Sequence, residues 1–227
     1  MMSLRPRLRP RQWSALVLDD LFVAGLLCGA AGFADAVGYV NSGVFAANMT
    51  GNTVLAGIAI AERHWDVAWQ RGMTLAAFCV GVVIASFLLR LFGERRAWPL
   101  IGEVAFILAA AFIEPTASLA IALIAAAMGM QAVSVTRFRS VVASTVVVTT
   151  TMTRLAEFCT HWLIARPQAR AAVVKTAPAL LVVIWVCYGL GAIAAAFAMA
   201  LTSRPLFFPA AMLALVAALT IFKEPTG

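Results

Sequence analysis

The chain has 227 residues, of which 63% are hydrophobic and only 12% charged, and its mean hydropathy is +0.95. A water-soluble domain of this length carries charge over much of its surface, so the composition excludes one and indicates a protein embedded in lipid. The formal net charge of +7 does not imply nucleic acid, because no basic face or aromatic-basic motif accompanies the arginines; membrane orientation explains them better.

The chain opens on "LRPRLRPRQW", in which Arg5, Arg7, Arg9 and Arg11 form a basic arm without an acidic residue. Residues 1–18 read as a cytoplasmic tail and 19–227 as one membrane domain. No small-residue cleavage site follows the first apolar run, so a signal peptide is not expected. Eight apolar segments succeed one another at about 19–40, 42–61, 70–92, 98–113, 117–135, 140–160, 176–200 and 206–222. Several approach the roughly 20 residues that a spanning helix needs.

The first segment contains Asp35, in "GFADAVGYV", about two-thirds of the way along. An ionised carboxylate there costs ~2.5 to 3.5 kcal/mol on insertion scales, so it should face the bundle interior. It is a candidate for proton or cation coupling, and the plainer alternative is a carboxyl that caps the backbone of the next segment. That next segment carries "GVFAANMTGNTV", in which Asn48, Thr50, Asn52 and Thr53 straddle Gly51. Unpaired polar groups in lipid cost several kcal/mol each, and Gly51 weakens helix continuity. A broken or re-entrant segment lining a site would satisfy both conditions.

In the fourth segment Glu103 stands about one turn from Pro99 and is expected to snorkel to the headgroups. The fifth carries Gln131 in "GMQAV", and the sixth carries "STVVVTTTMTRLAEF" with Thr145, Thr149, Thr150 and Thr153. Thr145, Thr149 and Thr153 form a hydroxyl stripe on a helix, which helix packing alone could also explain. His64 and His161 each adjoin a tryptophan at a segment end, which fits an interfacial belt rather than a metal site. The four cysteines are scattered singly, as packing residues are. No catalytic set, phosphate loop or metal-ligand spacing appears, so neither an enzyme, a metal nor a cofactor is expected.

The two halves echo one another. "DAV" at 35–37 returns as "QAV" at 131–133, "NMT" at 48–50 as "TMT" at 151–153, and "FCVG" at 78–81 as "VCYG" at 186–189. The order is kept while the offset grows slowly, which points to two internal repeats, about 19–113 and 117–222. Arginine placement addresses their relation. With eight crossings and a cytoplasmic N-terminus, 11 of the 17 lysines and arginines fall inside. If 42–61 and 140–160 instead enter and return on one side, Arg90, Arg95, Arg96, Arg137 and Arg139 join the cytoplasmic set, Arg63 and Arg71 leave it, and 14 fall inside. The positive-inside rule therefore favours an all-α integral membrane protein with six crossing helices and two broken or re-entrant segments, in inverted repeats, over eight crossing helices.

The stretches "GFADAVGYV", "GVFAANMTGNTVLAG", "GMQAVSVTRF" and "TTTMTRLAEF" together resemble the YoaK-like family of bacterial inner-membrane proteins, catalogued as domain of unknown function 1275. The resemblance runs over nearly the whole chain after the basic arm. It departs at Arg154, where the family pattern has glycine after the second Thr-Met-Thr. It implies a multi-pass inner-membrane protein and no particular substrate. Together these readings point to secondary transport of a small solute or ion, with the lipid bilayer as the surrounding partner. Asp35 is the expected coupling carboxylate, and Asn48, Thr50, Asn52, Gln131, Thr150 and Thr153 the expected ligands. The alternative is a non-transporting membrane scaffold whose polar residues only lock helices together.

Overall fold

The computed structural model describes residues 10–93, 95, 97–114, 116–135, 148–164 and 177–223. They form eight helices and, among the described residues, no strand. The helices are α1 (Pro10–Ser42), α2 (Met49–Ala61), α3 (Trp65–Leu91), α4 (Ala97–Ala111), α5 (Ser118–Val135), α6 (Val148–Ile164), α7 (Ala177–Leu201) and α8 (Phe207–Lys223). The described helices follow the eight apolar segments in order. One difference lies at the start, where the basic arm is helical from Pro10 and runs without interruption into the first span. A proline in the first helical position suits this, because its missing N–H would have had no partner there.

Among the described residues, three helices contain stretches long and apolar enough to cross a bilayer: Leu21–Ser42 within α1, Trp65–Leu91, and Ala179–Leu201 within α7. The other apolar helices are shorter. α4, at 15 residues, is about 22 Å long at 1.5 Å per residue, less than the ~30 Å hydrocarbon core. Short apolar helices of this kind can be tolerated where they pack on longer neighbours or the bilayer thins around them.

α1 is the central element. Two-thirds of its apolar window (67%) is buried inside the protein, against 17% for α3. Its core residues Leu27, Phe33 and Val37 pack with Ile107 of α4, Ile121, Ile124 and Met128 of α5, and Leu213 of α8. Val80, Val83 and Phe87 of α3 and Leu190, Ile193 and Phe197 of α7 remain exposed, and form an outer apolar surface suited to lipid. Trp65, Trp69 and Trp98 are exposed at helix ends, the location favoured by interfacial aromatic side chains.

α1 packs along α7, and α3 along α5. Both pairs approach backbone to backbone. A Cβ on Gly32 would fall on the carbonyl of Tyr188, and one on Gly191 on the carbonyl of Gly29. In the other pair, Gly81 abuts the carbonyl of Ala126 and Gly129 that of Phe78. Small residues permit this approach, and dispersion between close backbones replaces the hydrophobic drive that lipid does not supply. Gly25 of α1 lies against Val183 and Cys187, and Gly29 against Cys187. Advancing along α1 therefore advances along α7, so these two helices run parallel.

Candidate functional site

The break after α1 has a clear local cause. Gly43 takes a positive φ of 65°, its N–H bonds the carbonyl of Tyr39 at 2.8 Å, and the helix stops as glycine-terminated helices do. The chain then turns back inside the protein, burying Val44, Ala46 and Ala47, and begins α2 at Met49. A buried non-helical segment exposes backbone groups that lipid cannot satisfy. The polar residues singled out above supply much of what is needed.

Asp35 is buried, and its Oδ1 accepts the backbone N–H of Ala47 at 2.5 Å and of Asn48 at 3.2 Å. Its Oδ2 accepts the hydroxyl of Tyr188 from α7. The carboxyl thus joins three parts of the molecule and stands at the N-terminus of α2, where the helix dipole favours negative charge. Asn48 caps that helix, its Oδ1 accepting the N–H of Gly51 at 3.1 Å. Asn52 is wholly buried and grips Phe45 twice, accepting its N–H at 2.9 Å and donating to its carbonyl at 2.6 Å. A side-chain amide is suited to this, since it carries donor and acceptor together.

The remaining expected site residues lie in other surroundings. Thr50 and Thr53 are exposed, and the Thr53 hydroxyl bonds the carbonyl of Met49 one turn back at 2.9 Å. Gln131 is buried on α5 and donates to the carbonyl of Leu27 at 2.8 Å, tying α5 to α1. Thr153 is exposed on α6. The side chains of Thr149 and Thr150, and the whole of Thr145, lie outside the described residues. The structure thus gathers Asp35, Asn48 and Asn52 around one break, with Gln131 tied to α1 four turns of sequence away from it.

Three further residues belong to the picture. Tyr188 is one of only two tyrosines in the chain, and a phenol inside "VCYGLG" is the sequence feature that marks it as a buried hydrogen-bonding group. Arg71 of α3 donates through Nη2 to the carbonyl of Gly43 at 3.2 Å and through Nη1 to that of Val67 at 3.5 Å. It thereby places positive charge on the C-terminal end of α1, the favourable end for a cation. Glu103 corrects the expectation that it snorkels, because it is completely buried in α4. Counting residues from Pro99 placed it near a membrane face. The helical periodicity of Leu100, Glu103, Ile107 and Ala110, all buried, puts it on the inward stripe instead.

An open cavity of about 410 Å³ lies between α1, α7 and α8, lined by apolar groups including Leu21, Phe22, Leu26, Leu190 and Met212. It does not include Asp35, Asn48 or Asn52 in its lining.

The fold is that of a helical integral membrane protein with a helix break held by buried polar side chains. Residues 23–219 match the model of a family described as "Protein of unknown function (DUF1275)", and the chain belongs to that family. It is also similar to the UPF0700 transmembrane protein YoaK of Bacillus subtilis (strain 168). The two are 31% identical over 176 residues, covering 72% of this chain and 78% of that protein. No solved structure matches.

Proposed function

We propose that this protein is a secondary transporter of a small solute or ion in the bacterial plasma membrane. It would be built from two inverted repeats with a cytoplasmic N-terminus. The observation that carries the reading is the Asp35 carboxyl, bound at once to the break before α2 and to Tyr188 of the other half. Discontinuous helices with polar groups at the break are the common construction of transporter sites, and a buried acid shared by two halves can couple their movement to its charge.

The reach of Arg71 supports a re-entrant α2. The turn at Ala47 lies beside Asp35, seven residues before Ser42 along α1 and so about 10 Å below its end. α2 starts there and is 13 residues long, about 20 Å. It packs against α3 across a short turn, so residue 71 lies level with the middle of α2. If α2 continued across the bilayer, that level would fall roughly 20 Å below Gly43, beyond the reach of an arginine. If α2 returns toward the side it came from, Arg71 stands level with Gly43, to which it is bonded. The parallel run of α1 and α7 extends the argument. With α3, α4 and α5 crossing in alternation, α7 can run parallel to α1 only if α6 behaves as α2 does.

The repeat has support in the close contacts. The two glycine crossings exchange if α3 is matched to α7 at a spacing of 110 residues (Phe78 to Tyr188, Gly81 to Gly191) and α1 to α5 at 97 (Gly29 to Ala126, Gly32 to Gly129). Pro99 of α4 and Pro209 of α8 are also 110 apart.

A ligand screen by thermal stabilisation of the purified protein tests the function, because a solute that binds the native state raises its apparent stability. The expected result is a stabilising solute whose effect depends on pH in the wild type and loses that dependence in Asp35→Asn. Unchanged pH-dependent binding in the variant would assign Asp35 to structure. One observation favours the scaffold reading: Asn48 and Asn52 spend hydrogen bonds on the break itself. Under that reading no solute stabilises the protein, and substitutions at the break lower its stability alone.

A further inference from the structure

Glu103 differs from Asp35 in having nothing to hold. Both of its carboxyl oxygens are buried and neither has a hydrogen-bond partner among the described residues. It stands in the middle of α4, flanked one turn to either side by the buried Leu100 and Ile107. Beside it, the position of a Cβ on Gly102 is crowded by the methyl of Met130 from α5.

The helices packed on α4 are α5, α8 and α3, and none offers a described countercharge. α5 carries no ionisable residue; the polar groups near its end are Gln131, bonded to Leu27, and Ser134, whose hydroxyl bonds Met130. α8 carries only Lys223, its last residue. On α3, Asp66, Cys79 and Arg90 are exposed and Arg71 is engaged with Gly43. α4 has no second ionisable group.

A carboxylate stripped of water and left without a partner costs several kcal/mol even after the protein relaxes. Its charge therefore has to be cancelled in place. A hard metal cation would need about six oxygen ligands, whereas Leu100, Ile107 and Met130 present carbon and sulfur. A proton needs one oxygen.

Packing does not explain the acid either. Under the proposed repeat, the spacing that matches Pro99 to Pro209 matches Glu103 to Leu213, which is also fully buried. A leucine fills the equivalent place, so the carboxyl is an addition to a position that could have been apolar.

We propose that Glu103 is an exchangeable proton-binding site inside the membrane domain, within the packing of α4 against α5 and α8. The inference rests on the transport reading and adds to its coupling carboxyl, Asp35, a second acid that exchanges a proton within the membrane domain. Asp35, by contrast, is engaged by three donors at the helix break.

Infrared spectroscopy of the protein in lipid bilayers tests this directly. The wild type should show a carboxylic-acid carbonyl band that is lost in both Glu103→Gln and Glu103→Leu, shifts in D2O, and disappears reversibly as pH is raised. Leucine is the variant expected to fold best, by comparison with Leu213. The unaltered chain provides a second readout: dicyclohexylcarbodiimide, which reacts with protonated carboxyls in apolar surroundings, should form an adduct at Glu103 that diminishes as pH rises. Absence of the band and of the adduct would overturn the proposal by showing an ionised group. A band insensitive to D2O would overturn it by showing an acid that no proton reaches. Neither readout depends on solute movement, so an exchangeable band in a protein that binds no solute would leave the proton site standing and remove the transport reading.

Discussion

Asn52 illustrates how much a single side chain can do at a break in a membrane helix. Replacing it by leucine keeps the volume but leaves the N–H and carbonyl of Phe45 without their partner. The expected loss is roughly 1 to 3 kcal/mol, read as a lower unfolding temperature in detergent. Thr50→Val, at an exposed position on the same helix, should change stability by less than about 0.5 kcal/mol. A large effect of Thr50→Val on ligand-induced stabilisation, with stability unchanged, would return that hydroxyl to the binding site. The polarity of "NMTGN" was legible in the sequence because amides in an apolar frame must find partners. What they bond was not. Asn52 reaches back seven residues to Phe45, and Asp35 reaches forward twelve to Ala47, distances set by how the chain turns after Gly43.

At the scale of the helix, the close crossings are the testable feature. Gly191→Ala drives a methyl onto the carbonyl of Gly29, and Gly81→Ala onto that of Ala126, so both variants should be destabilised and poorly recovered from membranes. Gly189→Ala is the matched control. Nothing lies within 4 Å of its added methyl, and alanine favours a helix by about 1 kcal/mol over glycine, so stability should hold or rise. Equal loss in all three would mean that helix flexibility matters rather than crossing distance. Under the proposed repeat, the sequence echo of "FCVG" in "VCYG" joins the same two helices as the glycine crossings but two residues out of register with them. Exchanging the two glycine crossings would pair Phe78 with Tyr188 and Gly81 with Gly191, aligning "FCVG" with "YGLG". Two residues turn a helix by about 200°. The face that packs is therefore fixed by the contact and not by the most similar letters.

For the whole molecule, the decisive quantity is the number of crossings. Single cysteines on a cysteine-free background at Asp66 and Arg95, both exposed, separate the two topologies. Six crossings with a cytoplasmic N-terminus put residue 66 outside and residue 95 inside; eight crossings exchange them. Labelling of Arg95→Cys from the outside, with Asp66→Cys protected, would restore the eight-crossing arrangement and with it parallel repeats.

Composition and apolar periodicity alone determined that this is an all-helical membrane protein, because lipid forces backbone hydrogen bonds inward and leaves few other solutions. They also located the eight segments and the polar stretch at 48–53, but the expected interruption at Gly51 is displaced: the helix runs unbroken through Gly51 and the break lies at 43–48, where Gly43 takes the positive φ. Only the tertiary structure decided that Asp35 meets Tyr188 from 153 positions away, that Arg71 closes the end of α1, and that Glu103 faces inward without a partner among the described residues. Those facts depend on which face of each helix turns toward which neighbour. In lipid that choice is made by close packing of small residues such as Gly32 and Gly191, whose effect appears only when two helices are brought together.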